Sequence, residues 1–275
     1  MHGLWHARLM PEATGRWTWS SHCTELPGSG PCPPELHGQN GSFLVGGAAV
    51  GVHGRIKATG TKLLHYDGTP AYITGTTVYG LAGLHDNNTD LTVEYMRRAS
   101  FNKVRVMAMT GGGAWENSED LRPYINNTLD HFNVAYWQRL ERTIRKLQAI
   151  SDAQLDLILF NPYDRSYPAG YACQGGPTPA TYDLANDLGY IRYAVARLAS
   201  FRNVWWSLSN EWSQVGCKWD SGTPPDKCFT TSCPTTDAVG ENVSGATPIW
   251  DSLFQEVARE DPYGHLMSIH NNVRT

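Results

Sequence analysis

The stretch NVWWSLSNEW, residues 203–212, ends a strongly apolar run in an amide and a carboxylate. A carboxylate in such a setting is costly unless it is paired or its raised pKa is put to use. Glu211 has Trp205, Trp206 and Trp212 close in sequence. Low polarity of that kind keeps a carboxyl protonated near neutral pH, as a general acid requires. Asn210 beside it suits a substrate hydroxyl or the orientation of the carboxyl. The competing reading is structural: Glu211 caps the following loop or pairs with an arginine.

Other residues could join this chemistry. Arg105 stands inside the apolar segment NKVRVMAMT, and a buried arginine needs a carboxylate partner. Its planar fork suits bidentate contact; the plainer alternative is an ion pair with Glu94 or Asp156. Asp164 and Arg165 in NPYDR suit sugar hydroxyls or local pairing, and Asp164 is the in-chain rival for a second carboxylate. His270 and Asn271 lie at the end of HLMSIHNN, where His270 reads as a hydrogen-bonded structural histidine. His265, at the other end of that segment, reads as structural. Tyr79, Trp115 and Trp212 fall in loops where rings could stack on the C–H faces of sugars, while Tyr163 is a platform or core. Trp205 and Trp206 are consecutive and must point to opposite faces of a strand. His270 with His85 and Asp86 is the one conceivable metal cluster, but no HxH or HExxH supports it. No metal and no cofactor is expected.

The elements that would carry these residues alternate. AYITGTTVYG (71–80), NKVRVMAMT (102–110), LDLILFNPYD (155–164), NVWWSLSNE and HLMSIHNN (265–272) read as strands. Between them LTVEYMRRASF (91–101), VAYWQRLERTIRKLQAI (134–150), ANDLGYIRYAVARLASF (185–201) and PIWDSLFQEVARE (248–260) have helical spacing. Asn88 or Thr89 is available to cap the first helix. Continuous apolar strands in strand–helix alternation mean a parallel sheet buried on both faces, either doubly wound or closed into a (β/α)₈ barrel. The long segments 110–131, 162–180 and 212–247 follow strand ends, where barrel active sites lie. The absence of GxGxxG after the first strand disfavours a nucleotide fold. The fold class is therefore α/β, a (β/α)₈ barrel with about five units present and the C-terminal units lacking. Residues 56–275 form this partial barrel. Residues 1–55, with HARLM, RWTWSS and SFLVG as short strands, read as the end of a β-sandwich.

Composition narrows the classes. The net charge of −4 comes with dispersed Lys and Arg, so no nucleic-acid surface is expected. No apolar run reaches the ~20 residues that cross a membrane. Six cysteines, none in a CxxC pair and most in Gly/Pro/Ser-rich loops, suggest disulfides and an oxidising compartment. Sequons at Asn40, Asn87, Asn126 and Asn242 agree with an extracellular or secretory location. MHGLWHARLM is not a signal peptide, so either the protein is not secreted or its true N-terminus lies elsewhere.

NVWWSLSNEW resembles the fourth-strand segment of clan A glycoside hydrolases. ARLMPEATGRWTW, DGTPAYITGTTVY, FNKVRVMAM, DLILFNPYDR, FRNVWWSLSNEW and DPYGHLMSIHN together resemble, in order and over nearly the whole chain, glycoside hydrolases with an N-terminal β-sandwich and an apiosidase-like barrel. The resemblance implies retaining hydrolysis of a poly- or oligosaccharide. Glu211 would be the acid/base, Arg105 would steady the nucleophile, and the nucleophile itself would follow a seventh strand beyond Thr275. The same resemblance to clan A glycoside hydrolases would imply substrate contact at His270 and Asn271. This chain alone would then be inactive. A non-catalytic carbohydrate-binding barrel and a metal-dependent barrel hydrolase are the other readings. The first predicts sugar binding that survives loss of Glu211, the second a bound ion.

Overall fold

The computed structural model describes residues 6–23, 33, 35–108, 123–125, 131–150, 153–160, 184–210 and 247–270. The chain divides into two compact units, residues 1–52 and 53–275. In the first, β1 (Gly15–Ser20) and β2 (Asn40–Val45) pair antiparallel, Gly15 opposite Val45 and Ser20 opposite Asn40. Trp17 stacks on Phe43 across the pair. HARLM, expected as a strand, is irregular. Its side chains are partly or fully exposed and offer no continuous apolar face to hold a strand.

The second unit opens with a hairpin, β3 (Ile56–Thr59) against β4 (Lys62–His65). Gly60 supplies the left-handed backbone of its tight turn, φ 57°. Then comes one parallel sheet, ordered β5-β6-β7-β8-β9. Its strands are β5 (Gly75–Thr77), β6 (Lys103–Met107), β7 (Gln154–Phe160), β8 (Val204–Ser209) and β9 (Met267–Ser268). The helices are α1 (Asp86–Arg98), α2 (Val134–Gln148), α3 (Leu184–Leu198) and α4 (Thr247–Glu260). Chain order equals sheet order, as consecutive right-handed βαβ units require. The sheet is an open arc of βα units, with β5 and β9 at its edges.

Strand alternation sets one apolar face along the central strands. Val104, Val106, Leu155, Leu157, Val204, Trp206 and Leu208 are fully buried and belong to one apolar cluster with the helices. Tyr136, Leu140, Ile144 and Leu147 of α2 lie in that cluster at helical spacing, as do Ile191, Val195 and Leu198 of α3. Asn133 caps α2, its Oδ1 accepting from the N–H groups of Ala135 and Tyr136. The helix α1 begins earlier than its apolar spacing indicates. His85 is its N-cap residue without a side-chain bond, so neither Asn88 nor Thr89 caps it. Asp86 stands in the first turn, where a carboxylate complements the helix dipole. Arg97 and Arg98 stand in the last turn, both bonded to Glu94.

Candidate active site

Opposite the apolar face lies a polar one. Lys103 and Arg105 of β6, Gln154 and Asp156 of β7, and Trp205 and Ser207 of β8 interact with one another across it. Lys103 Nζ is 2.7 Å from Asp156 Oδ2 and stands 5.0 Å above the Trp205 ring. Trp205 Nε1 donates to Gln154 Oε1 at 3.0 Å. The two tryptophans do point to opposite sides: Trp206 is buried in the apolar cluster, its Nε1 donating to Asp261 Oδ2 at 2.9 Å.

Arg105 does not form either ion pair considered from the sequence. Glu94 is taken by Arg97 and Arg98, and Asp156 by Lys103. Arg105 instead donates from one terminal nitrogen to Ser207 Oγ at 3.3 Å, and its buried Nε has no partner among the described residues. The ladder shows which way it leans. Arg105 is level with Asp156, and Asp156 with Trp205. Reaching Ser207 carries the guanidinium two residues toward the C-terminal ends of the strands. Among the described residues no carboxylate pairs with it.

At those ends the backbone ladder continues past the strands. Asn210 N donates to Phe160 O at 3.0 Å, and His270 N to Ser209 O at 3.0 Å. Asn210 is 3% exposed and its Oδ1 is buried without a partner among the described residues. An acceptor left open in such a place is expensive unless something else fills it. Asn210 and His270 are thus brought to the same end of neighbouring strands. Tyr79 opens the 3-10 turn Tyr79–Gly83 after β5 and is 42% exposed, its position set by Val78 N donating to Arg105 O. Glu211, Trp212, Asp164, Arg165, Tyr163, Trp115 and Asn271 lie outside the described residues.

His265 is structural, as its place at the start of the strand suggests. It is buried, with Nδ1 2.9 Å from Asp261 Oδ2 and Nε2 3.2 Å from Phe201 O. Burial pushes the Asp261 pKa up. The hydrogen bond and charge of His265, the Trp206 indole and the His265 backbone N–H outweigh this and hold it at about 2. No three His, Cys, Asp or Glu converge among the described residues, so His270, His85 and Asp86 do not form a metal cluster. Sequence reasoning missed Ser207, Lys103 and Gln154. Strand alternation was the available signal, because it puts 103 with 105 and 205 with 207.

Comparison with known proteins places this geometry. Residues 57–275 match the family described as "Apiosidase-like, catalytic domain". The chain belongs to this apiosidase-like family. A crystal structure from Bacteroides vulgatus ATCC 8482, of a protein assigned as a glycoside hydrolase, is 28% identical with a TM-score of 0.71. The match covers 97% of this chain and 47% of that one, so the chain spans about half its length. The apiosidase-like arc also overlays a family 5 glycoside hydrolase from the same organism (15% identity, TM-score 0.51, 81% of this chain and 40% of that one). It overlays the endo-1,4-β-mannanase of Rhizomucor miehei as well (17%, 0.52, 79% and 60%). These two show the fold alone. No curated protein matches the chain in sequence. The fold is thus that of glycoside hydrolase barrels.

Proposed function

We propose that this chain is part of a secreted retaining glycoside hydrolase acting on a poly- or oligosaccharide. Glu211 is the acid/base: it protonates the departing glycosidic oxygen, then takes a proton from the attacking water. A second carboxylate attacks the anomeric carbon and carries the glycosyl group between the two steps. The observation that carries this reading is Arg105. A guanidinium inside the sheet, paired with no carboxylate among the described residues and leaning toward the strand ends that hold Asn210, suits a partner such as that nucleophile. The buried, open Oδ1 of Asn210 is in keeping with a site completed by substrate or by Glu211.

In this reading Tyr79 and Trp212 stack on sugar rings, and Asp164, His270 and Asn271 bind hydroxyls. Residues 1–55 are the end of a β-sandwich ahead of the catalytic barrel. Cys23 is disulfide-bonded, which supports an oxidising compartment. Among the described residues no helix is long and apolar enough to cross a membrane.

The test is expression of the reading frame continued past Thr275, screened on a panel of plant and algal glycans beside Glu211→Gln. Release of sugar by the parent and its loss in the variant is expected. Equal glycan binding by both with cleavage by neither would make the chain a carbohydrate-binding scaffold and refute the proposal.

A further inference from the structure

Arg105 and Asp156 are directly opposed on the parallel ladder, the position where opposite charges normally pair across strands. They do not pair. Arg105 Nε and Asp156 Oδ1 are both buried, and neither has a hydrogen-bond partner among the described residues. A donor and an acceptor stay open side by side while the guanidinium turns to a neutral hydroxyl at 3.3 Å. What differs between the two residues is Lys103. It lies two residues before Arg105 on the same face and closes on Asp156 Oδ2 at 2.7 Å. Its stem is fixed in turn, since the ammonium rests over the Trp205 ring, and that ring is held through Nε1 by Gln154.

We propose that Lys103 is a positioning residue: by neutralising Asp156 it keeps Arg105 turned toward the C-terminal ends of the strands. A buried carboxylate without compensation attracts the nearest cation. Without Lys103 that cation is Arg105, whose fork fits a carboxylate with two parallel bonds. The guanidinium would then fold back onto Asp156 and leave Ser207. Two partly buried cations on one strand face with one carboxylate between them therefore form a division of labour. The lysine satisfies the residue level with Arg105, and the arginine stays available one pleat higher. This rests on the reading that Arg105 serves a carboxylate of the active site.

The test reads Arg105 directly and needs no substrate, so it is independent of whether a glycan is ever cleaved. The Nε–H resonance of Arg105 is assigned in the 275-residue protein by its loss in Arg105→Lys. In Lys103→Met it should move downfield and exchange more slowly with water, because it now bonds Asp156. Lys103→Met/Asp156→Asn should return it to the parental position, and Lys103→Arg should leave it there. Lys103→Gln keeps a hydrogen bond to Asp156 without the charge and serves if the methionine variant does not fold; the same downfield shift is expected. An Arg105 Nε–H unchanged in the folded Lys103 variants would overturn the proposal. A shift that persists when Asp156 is also neutralised would overturn it too.

Discussion

Replacing Asp261 by Asn should weaken the fold in a way that depends on pH. The carboxylate of Asp261 accepts from Trp206 Nε1 (2.9 Å), His265 N (2.8 Å) and Tyr263 N (3.0 Å), and meets His265 Nδ1 at 2.9 Å. An amide keeps one acceptor and turns a donor toward these donors. Breaking one side of a buried charged pair costs about 3–5 kcal/mol. Against a urea slope of about 3 kcal/mol/M, that lowers the unfolding midpoint by at least about 1 M at pH 7. The pH arm follows from the carboxyl, which sits at about 2 against an ordinary 3.8. A depressed folded pKa stabilises above the unfolded value and is lost as pH falls through the folded one. The shift corresponds to about 2.5 kcal/mol. The gap between parent and Asp261→Asn should therefore narrow by about 2 kcal/mol between pH 5 and pH 2, where the folded carboxyl is half protonated. Urea titrations followed by tryptophan fluorescence at pH 7, 5, 3 and 2 measure both arms. A midpoint shift below about 0.3 M, or a gap that does not change with pH, would refute the reasoning. The network matters to the site because it joins the start of β9 to β8. The far ends of those strands carry His270 and Asn210.

Arg105→Met should leave thermal stability within about 1 kcal/mol of the parent or raise it, because it removes a partly buried cation that pairs with no carboxylate among the described residues. In the longer reading frame the same change should abolish glycan cleavage. Glu141→Ala should cost about 3 kcal/mol in a urea titration, since Glu141 of α2 is buried and pairs at 2.6 Å with the partly buried Arg197 of α3, which would lose its carboxylate. Trp205→Phe keeps the ring under Lys103 and loses the bond to Gln154. A loss of about 1 kcal/mol by denaturant titration is expected. A chelator should not change cleavage by the longer protein; loss that added metal restores would favour the metal-dependent reading.

Much of the sheet was legible because its strands are long apolar runs. Val204–Ser209 and Gln154–Phe160 show themselves at any window length, and the helix α2 shows itself through Tyr136, Leu140, Ile144 and Leu147. Short edge elements were not. The edge strand β9 keeps two paired residues of the eight-residue stretch HLMSIHNN read as a strand, since among the described residues only β8 defines its ladder. The start of α1 was hidden because Asp86, Asn87 and Asn88 are polar, so the apolar spacing begins a turn late. The hairpin β3–β4 is set by a glycine turn rather than by an apolar face. For the site, Asn210, Arg105 and His270 could be named from residue type and place in the strand. The partner of Arg105 could not, because charge alone makes Asp156 the better candidate. Lys103 decides it, and that needs the register of β6 against β7.

The central claim is that Glu211 donates a proton to the leaving group. The direct measurement is kcat/KM of the longer protein and its Glu211→Ala variant on aryl glycosides of whichever sugar the screen releases, across leaving groups of graded acidity. The account predicts near-parental rates for the most acidic phenols, a steep fall as the phenol becomes less acidic, and a glycosyl azide product when azide is added to the variant. A uniform loss across all leaving groups with no azide product would contradict it and leave Glu211 a structural residue.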